Sequence, residues 1–396
     1  MAQKLVIVGG GFAGLWGAAS AARARALFAL PDEAIDITLV APDAFHTVRV
    51  RCYEADLPAI RVPLDEVLAP IGVARIEDRV TGIDPCARTL SRAGGPALPY
   101  DRLLLAAGSA LAVPDIPCAE PTFDVDTYDG ARRLAAHLGG LAGQATPAAC
   151  TAVVIGGGLV GIEIACELPA RLPAPARVVL VDHGEIGAAM GAGRPAVVAA
   201  LAALGVETRP NAQVEAVDAT GVRLRGGEHI PATTVVFATG MKASPLTAGL
   251  GGARDRFGRV MVDAYLAVED VPGVYAAGDC ASVAADGAGH RSVMSCQHGR
   301  PMGRLAGHNA LCDLAGRPQD RVAFDAPDYV TVTDLGPEGA VYTSGWDRAT
   351  LVATGAEAKT VKETINRARI YPPRPATREA IFAAAAPVIQ ARPAAD

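Results

Sequence analysis

Twice in this chain an apolar, β-branched run ends in three glycines at the spacing G-x-G-x-x-G and continues into a helix-forming stretch. The first copy is KLVIVGGGFAGL (Lys4 to Leu15), with Gly9, Gly11 and Gly14. The second is TAVVIGGGLVGIEIACEL (Thr151 to Leu168), with Gly156, Gly158 and Gly161. The first glycine of each permits a tight strand-to-helix turn, the second lets backbone approach a pyrophosphate, and the third lets helix and strand pack closely. Phe12 and Ala13 in one copy, and Leu159 and Val160 in the other, open the helix. Its free N–H groups and positive dipole end then face the phosphates. One such loop is a weak signal. Two copies, each between a strand and a helix, predict two dinucleotide sites.

The strand after each loop separates the ligands. ARVVLVDHG ends in Asp182, at the distance where an acid binds an adenosine ribose hydroxyl. An acid there favours NADH and repels the extra phosphate of NADPH; the alternative is a solvated turn aspartate. After the first loop, AIDITLVAPDAF ends in Ala41 where an acid usually stands, and Asp43 comes two residues later. Asp43, backbone groups, or another arrangement holds that ribose.

The chain of 396 residues suffices for two or three domains, and its net charge of -6 excludes a basic field for nucleic acid. Its start runs straight into a strand, and no apolar run spans a bilayer without Gly, Pro or charge, so the expectation is a soluble, cytoplasmic protein. The cysteines, Cys52, Cys86, Cys118, Cys150, Cys166, Cys280, Cys296 and Cys312, form no CxxC pair and no metal-ligand spacing. No metal site is expected. His183, His290 and His308 read as surface or turn residues.

Three further runs are apolar strands ending in glycine: YDRLLLAAGS (Tyr100 to Ser109, with Gly108), ATTVVFATGMKASP (Ala232 to Pro245, with Gly240) and VPGVYAAGDCA (Val271 to Ala281, with Gly278 and Asp279). In this order, with the two glycine loops, they resemble the pyridine nucleotide–disulfide oxidoreductase superfamily over residues 4 to 310. FHTVRVRCYEAD (Phe45 to Asp56) is similar to a flavin-adjacent segment of its type II NADH dehydrogenase-like branch. The resemblance implies an α/β fold: two Rossmann-like domains, the NAD domain inserted in the FAD domain, plus a small α+β C-terminal domain. Residues 1–112 and 264–320 would bind FAD, 113–263 would bind NAD(P)H, and 321–396 would form the last domain.

The resemblance also implies roles. The first loop would hold FAD and the second NADH, with NADPH second choice. Asp279 would bond the FAD ribityl chain, and Glu163 would lie near the nicotinamide, or simply complement its helix dipole. Hydride would pass from NADH to FAD, and electrons on to a small-molecule acceptor. A quinone is the first choice; a ferredoxin, a small thiol, or a non-catalytic NADH sensor like apoptosis-inducing factor are the alternatives. Partners in view are a homodimer contact or a small redox protein. The dithiol of the disulfide reductases is absent, because Leu57 stands five residues after Cys52. Cys52, flanked by Arg49 and Arg51, is the best candidate for a single thiol that forms a mixed disulfide, although its segment lacks the wider pattern of the reductases that use one.

In SVMSCQHGRPMG (Ser292 to Gly303), Gln297-His298-Gly299 matches the branch's Gln-Gln-Gly at the flavin and quinone contact. His298 in place of the second Gln adds a candidate proton donor, and Cys296 reads as a packing or flavin-lining residue. Beyond it, Tyr329 to Gly355 alternates as antiparallel strands with turns at Gly336-Pro337 and Gly345, followed by a helix over Ala356 to Ile370. The Ala-rich end lacks a basic face, which argues against membrane association.

Overall fold

The computed structural model describes residues 2–118 and 122–391. Its first unit contains β1 (Gln3–Val8), α1 (Phe12–Leu27), β2 (Ile35–Ala41), β3 (Ala74–Glu77) and β4 (Arg102–Leu105). The second contains β5 (Phe123–Asp124), β6 (Thr151–Ile155), α2 (Leu159–Glu167), β7 (Arg177–Val181), β8 (Glu207–Arg209) and β9 (Thr234–Phe237). The chain then returns to the first through β10 (Val274–Ala276) and α3 (Cys296–Leu314).

Each unit has one five-stranded parallel sheet, in the order β3-β2-β1-β4-β10 and β8-β7-β6-β9-β5. Strand β6, TAVVI, is buried at every position, with Ala152 and Val154 in the core on one face and Val153 and Ile155 in the core on the other. Parallel strands covered on both faces read as unbroken apolar runs for this reason. In both sheets the strand order reverses beside the strand that feeds the glycine loop, which makes a ligand crevice at its carboxyl end.

Helices α1 and α3 pack backbone to backbone. The space a Cβ would take on Gly303 is filled by the carbonyl of Ala13, and that on Gly307 by the carbonyl of Gly17. Glycine at these two positions lets the amino ends of both helices open onto the same crevice.

The C-terminal part is an antiparallel meander, β11 (Val330–Asp334), β12 (Ala340–Ser344) and β13 (Thr350–Thr354), followed by α4 (Gly355–Thr364). The expected helix to Ile370 widens to a π-helical turn over Ile365–Arg369, which sets Ile365, Arg369 and Ile370 on one cavity wall. The last helix, α5 (Arg378–Ala384), leaves the meander and packs on α1, with Ile381 in the first unit's core. Among the described residues no helix is long and apolar enough to cross a membrane, and no group of His, Cys, Asp or Glu could hold a metal ion.

Candidate active site

The two glycine loops fold alike. Gly9 and Gly156 both have φ +114°, and a Cβ on either would meet the carbonyl of the neighbouring return strand, at Ala106 or Ala238. A Cβ on Gly14 or Gly161 would strike the carbonyl of Gly9 or Gly156. The middle glycines differ: among the described residues nothing lies within 4 Å of a Cβ built on Gly11 or Gly158. These open faces stand at the amino ends of α1 and α2, where backbone N–H groups lack helical partners. Gly108 and Gly240, at φ +68° and +88°, are equally open. Each cradle therefore fits one pyrophosphate.

Beside the second loop lies a cleft of about 580 Å³, walled by Gly158, Leu159, Val160, Asp182, Phe237 and Gly240. Asp182 follows β7 directly. Its Oδ2 accepts from the Gly157 N–H at 2.5 Å and its Oδ1 from the Gly184 N–H at 2.7 Å. A carboxylate oxygen has room for more than one hydrogen bond, so Asp182 can still accept from a ligand in the cleft it lines. Among the described residues lining this cleft the only basic side chain is His183, so nothing there compensates an added phosphate.

The first unit has a cleft of about 460 Å³ between Gly9, Val40, Pro42, Val80, Ala107 and Leu246. Asp43 is not on its wall. Its carboxylate pairs with Arg61 and accepts from the Phe45 N–H at 3.2 Å. Farther along, Asp279 Oδ2 accepts from Ser109 Oγ at 2.7 Å. Arg49 donates to Ser109 Oγ at 2.9 Å and pairs with Asp126 of the second unit, with Asp279 at 3.6 Å. Gly278, at φ +76°, has no room for a Cβ, which would stand 2.9 Å from that of Ala13.

His46 anchors this loop from below. It is fully buried, its ring meets Phe12 edge-on at 4.8 Å, and its Nδ1 donates to the Gly10 carbonyl at 3.1 Å. Burial pushes its pKa down to about 4, so it is neutral. Its Nε2 has no partner among the described residues.

Helix α3 begins where the two units and the meander meet. Ser295 caps it, its Oγ accepting from the His298 N–H at 3.4 Å. Gln297 Nε2 donates to the Asp328 carbonyl at 3.2 Å. His298 is buried, and its Nδ1 accepts from the Val293 N–H at 2.8 Å, so the proton sits on Nε2. That N–H has no partner among the described residues and is enclosed by the rings of Phe324, Tyr329 and Trp346. Burial holds the pKa at about 4. The expected proton donor is thus a neutral hydrogen-bond donor, because an imidazolium would be desolvated there. Against this turn lies a second cavity of about 380 Å³, lined by Cys296, Gln297, His298, Pro301, Ile365 and Ile370 among others.

Glu163, in the second turn of α2 and so past the amino-terminal N–H groups, is buried and bonded across units. Its Oε1 accepts from Lys362 Nζ at 2.6 Å and from the Asp334 N–H at 3.1 Å. Burial raises its pKa although Lys362 opposes the rise. Lys362 also lies 5.9 Å from the Tyr53 ring centre. Lys362, Arg49, Ser109 and His46 escape sequence reasoning as site residues. Their partners are remote along the chain, and the hints were the flavin-adjacent segment Phe45 to Asp56, which holds His46 and Arg49, and the strand that ends at Ser109.

Two expectations are corrected. Cys52 is no poised thiol: burial raises its pKa to about 12, while Arg49 is engaged by Asp126 and Arg51 by Glu54 and Tyr371. His308 is not at the surface; it is buried in α3 with Nε2 bonded to the Asp320 carbonyl at 3.0 Å. Cys296 is half-buried, with its pKa raised by burial, which agrees with a packing role.

Comparison with known proteins agrees with this geometry. A family model described as pyridine nucleotide-disulphide oxidoreductase matches residues 3–303. A NADH dehydrogenase-like protein of Mycobacterium tuberculosis is 52% identical over 402 residues, covering 98% of this chain and 100% of that protein. The demethylphylloquinone reductase of a Synechocystis species is 28% identical, covering 80% of each chain. The solved structure of NDH2 from Plasmodium falciparum in complex with NADH superposes with a TM-score of 0.78 at 12% identity, covering 97% of each chain, and so shares the fold.

Proposed function

Because the chain belongs to the pyridine nucleotide-disulphide oxidoreductase family and is an oxidoreductase that uses FAD and NADH, we propose that it passes the electrons of NADH to a quinone. In balance, NADH, one proton and the quinone become NAD⁺ and the quinol. Bound FAD supplies the redox chemistry, and the protein supplies binding, orientation and electrostatics.

The observation that carries this reading is the pair of separate cavities. The cleft beside Gly158 and Asp182 suits a dinucleotide, and the cavity at Gln297 and His298 is a second, largely apolar chamber. Among its described lining residues Cys296 is the one cysteine, so no cysteine pair serves it. An apolar ring acceptor suits such a wall better than a disulfide does. The names of relatives, NADH dehydrogenase-like and demethylphylloquinone reductase, point the same way.

In this assignment Gly9, Gly11, Phe12, Ala13 and Gly14 hold the FAD pyrophosphate, with Gly108 and Gly278 giving close backbone approach. Asp279 and Ser109 take the hydroxyls of its polyol. Gly156, Gly158, Leu159, Val160, Gly161 and Gly240 receive NADH, and Asp182 takes its adenosine ribose. Gln297 orients the acceptor as a hydrogen-bond donor, and His298, whose Nε2–H is enclosed by three rings, fixes the turn that carries it through Nδ1. Lys362 and Glu163 hold an exchangeable proton in the buried wall near Cys296.

The test is anaerobic. The purified yellow holoprotein is bleached with NADH or NADPH and then mixed with a quinone, a disulfide or a ferredoxin. Fast bleaching by NADH and fast colour return with the quinone are expected. Colour return with the disulfide or the ferredoxin alone contradicts the proposal.

A further inference from the structure

Two arginines of α3 are buried without a counter-charge among the described residues. Arg300 is 5% exposed and Arg304 1%. Arg300 Nη1 donates to Gln390 Oε1 at 3.1 Å, while its Nε has no partner among the described residues. Arg304 Nη1 reaches the Val388 carbonyl at 3.5 Å, and its Nε and Nη2 likewise have no partner there. Both stack over Trp16 of α1, at 5.1 and 4.8 Å from its ring centre.

The surrounding charge makes the pair more anomalous. The cations that bear on Arg300 are Arg304 and Arg369, and on Arg304 it is Arg369. Burial pushes their pKa values down to about 9 and 10, so both remain cations at neutral pH. A tryptophan face offsets only part of the cost of removing a guanidinium from water. Buried charges are normally paired. Three guanidiniums converging with no described carboxylate among them form a site for an anion.

Arg300 and Arg369 line the cavity at the first turn of α3. The rest of the wall divides by chemistry. Ile365, Ile370, Pro301 and Ile389 are apolar, while Asp325 and Asp328 are exposed and belong to its rim. Cationic charge thus lies inside and acidic charge outside. An uncharged ring compound would leave the guanidiniums as they are.

We propose that this cavity binds an apolar ring compound bearing a carboxylate, which pairs with Arg300 and Arg369 on its wall while the ring lies along Cys296 and His298 and Arg304 adds its charge from behind. This rests on the acceptor reading above, and makes the quinone an anionic one. A guanidinium fork and a carboxylate match in shape as well as charge.

The test uses the holoenzyme and a methylnaphthoquinone carrying a propionate side chain, compared with its methyl ester. The two share a ring and differ in charge. The acid should have the higher kcat/KM by about tenfold or more, a preference that Arg300→Gln abolishes and Arg300→Lys partly keeps. Binding is read separately by calorimetry with redox-silent naphthalenepropionate against naphthalenepropanol. Tighter binding of the acid, lost in Arg300→Gln, supports the site even if no quinone is reduced, so the two proposals can fail independently. Equal binding of acid and alcohol by the full chain overturns the inference. It is equally overturned if acid preference appears only after removal of residues 392–396, since the chain's own terminal carboxylate would then be the anion.

Discussion

Lys362 of α4 donates to Glu163 of α2 at 2.6 Å, across 199 residues of sequence. The pair joins α4 of the C-terminal part to α2 of the second unit. Asp334, at the end of β11, completes the junction: its N–H bonds Glu163, and its Oδ1 pairs with Lys359 at 2.6 Å. Such a pair sets geometry more than it adds net stability, because both charges were taken from water.

Breaking the pair from one side should therefore be costly. Glu163→Gln leaves Lys362 buried without a charge partner and should lower unfolding free energy by about 3 kcal/mol. Lys362→Met should cost less at low pH, because burial already raises the Glu163 pKa and the carboxyl can take up a proton. A raised folded-state pKa contributes stability at low pH that is lost as pH rises, so the Lys362→Met deficit should grow with pH. The double variant should cost less than the sum. Denaturant titrations of the four holoproteins at two pH values measure all three statements.

His46 and His298 predict acid sensitivity. Both fold with pKa values of about 4, against 6.5 when unfolded. The unfolded chain thus binds more protons, and stability falls as pH drops from about 6.5 toward 4. Each should remove about 2 kcal/mol between pH 7 and pH 5. Replacing His298 by Asn, whose Oδ1 can still accept from the Val293 N–H, should flatten the pH slope by the share of one histidine. An unchanged slope would show that His298 is not buried neutral.

The glycines separate folding from binding. Gly11→Ala meets no described protein atom within 4 Å, so thermal stability of the apoprotein should change by no more than about 1 kcal/mol while FAD retention falls sharply. Gly303→Ala drives a methyl into the Ala13 backbone and should cost about 3 kcal/mol by overpacking α1 against α3. Flavin content and melting temperature together tell the two apart.

Asp182→Asn removes the charge that opposes a second phosphate. NADH kcat/KM should fall by about tenfold, with NADPH hardly affected, so the preference between them narrows. Steady-state rates with both nucleotides check this.

Cys52 should be chemically silent. With its pKa raised to about 12, iodoacetamide should label exposed Cys86 quickly and Cys52 hardly at all, as read by peptide mass spectrometry. Cys52→Ala should keep NADH oxidation, at a cost in stability of about 1 kcal/mol for the lost core volume.

Much of this architecture was already written in the chain, because it depends on local rules. A glycine that must adopt φ +114° under a neighbouring carbonyl, as Gly9 and Gly156 do, admits no other residue without strain, so the loop shows in any reading of the sequence. The buried parallel strands show as apolar runs for a similarly local reason, and Asp182 stands at a fixed distance from its loop. Gln297 and His298 were found differently, through the resemblance of their segment to a family motif.

The protonation and pairing of those residues are a different matter, and only the tertiary structure decided them. His298 is neutral because Phe324, Tyr329 and Trp346, from a later part of the chain, exclude water from it. The Cys52 thiol is held protonated because the fold buries it, while its flanking arginines are engaged by Asp126, Glu54 and Tyr371. Arg300 and Arg304 are left without a counter-charge among the described residues once α1 and residues 388–390 pack against them. Backbone demands are local and leave their mark on neighbouring residues. Desolvation and charge pairing depend on whatever the fold brings near, and no spacing along the chain encodes that.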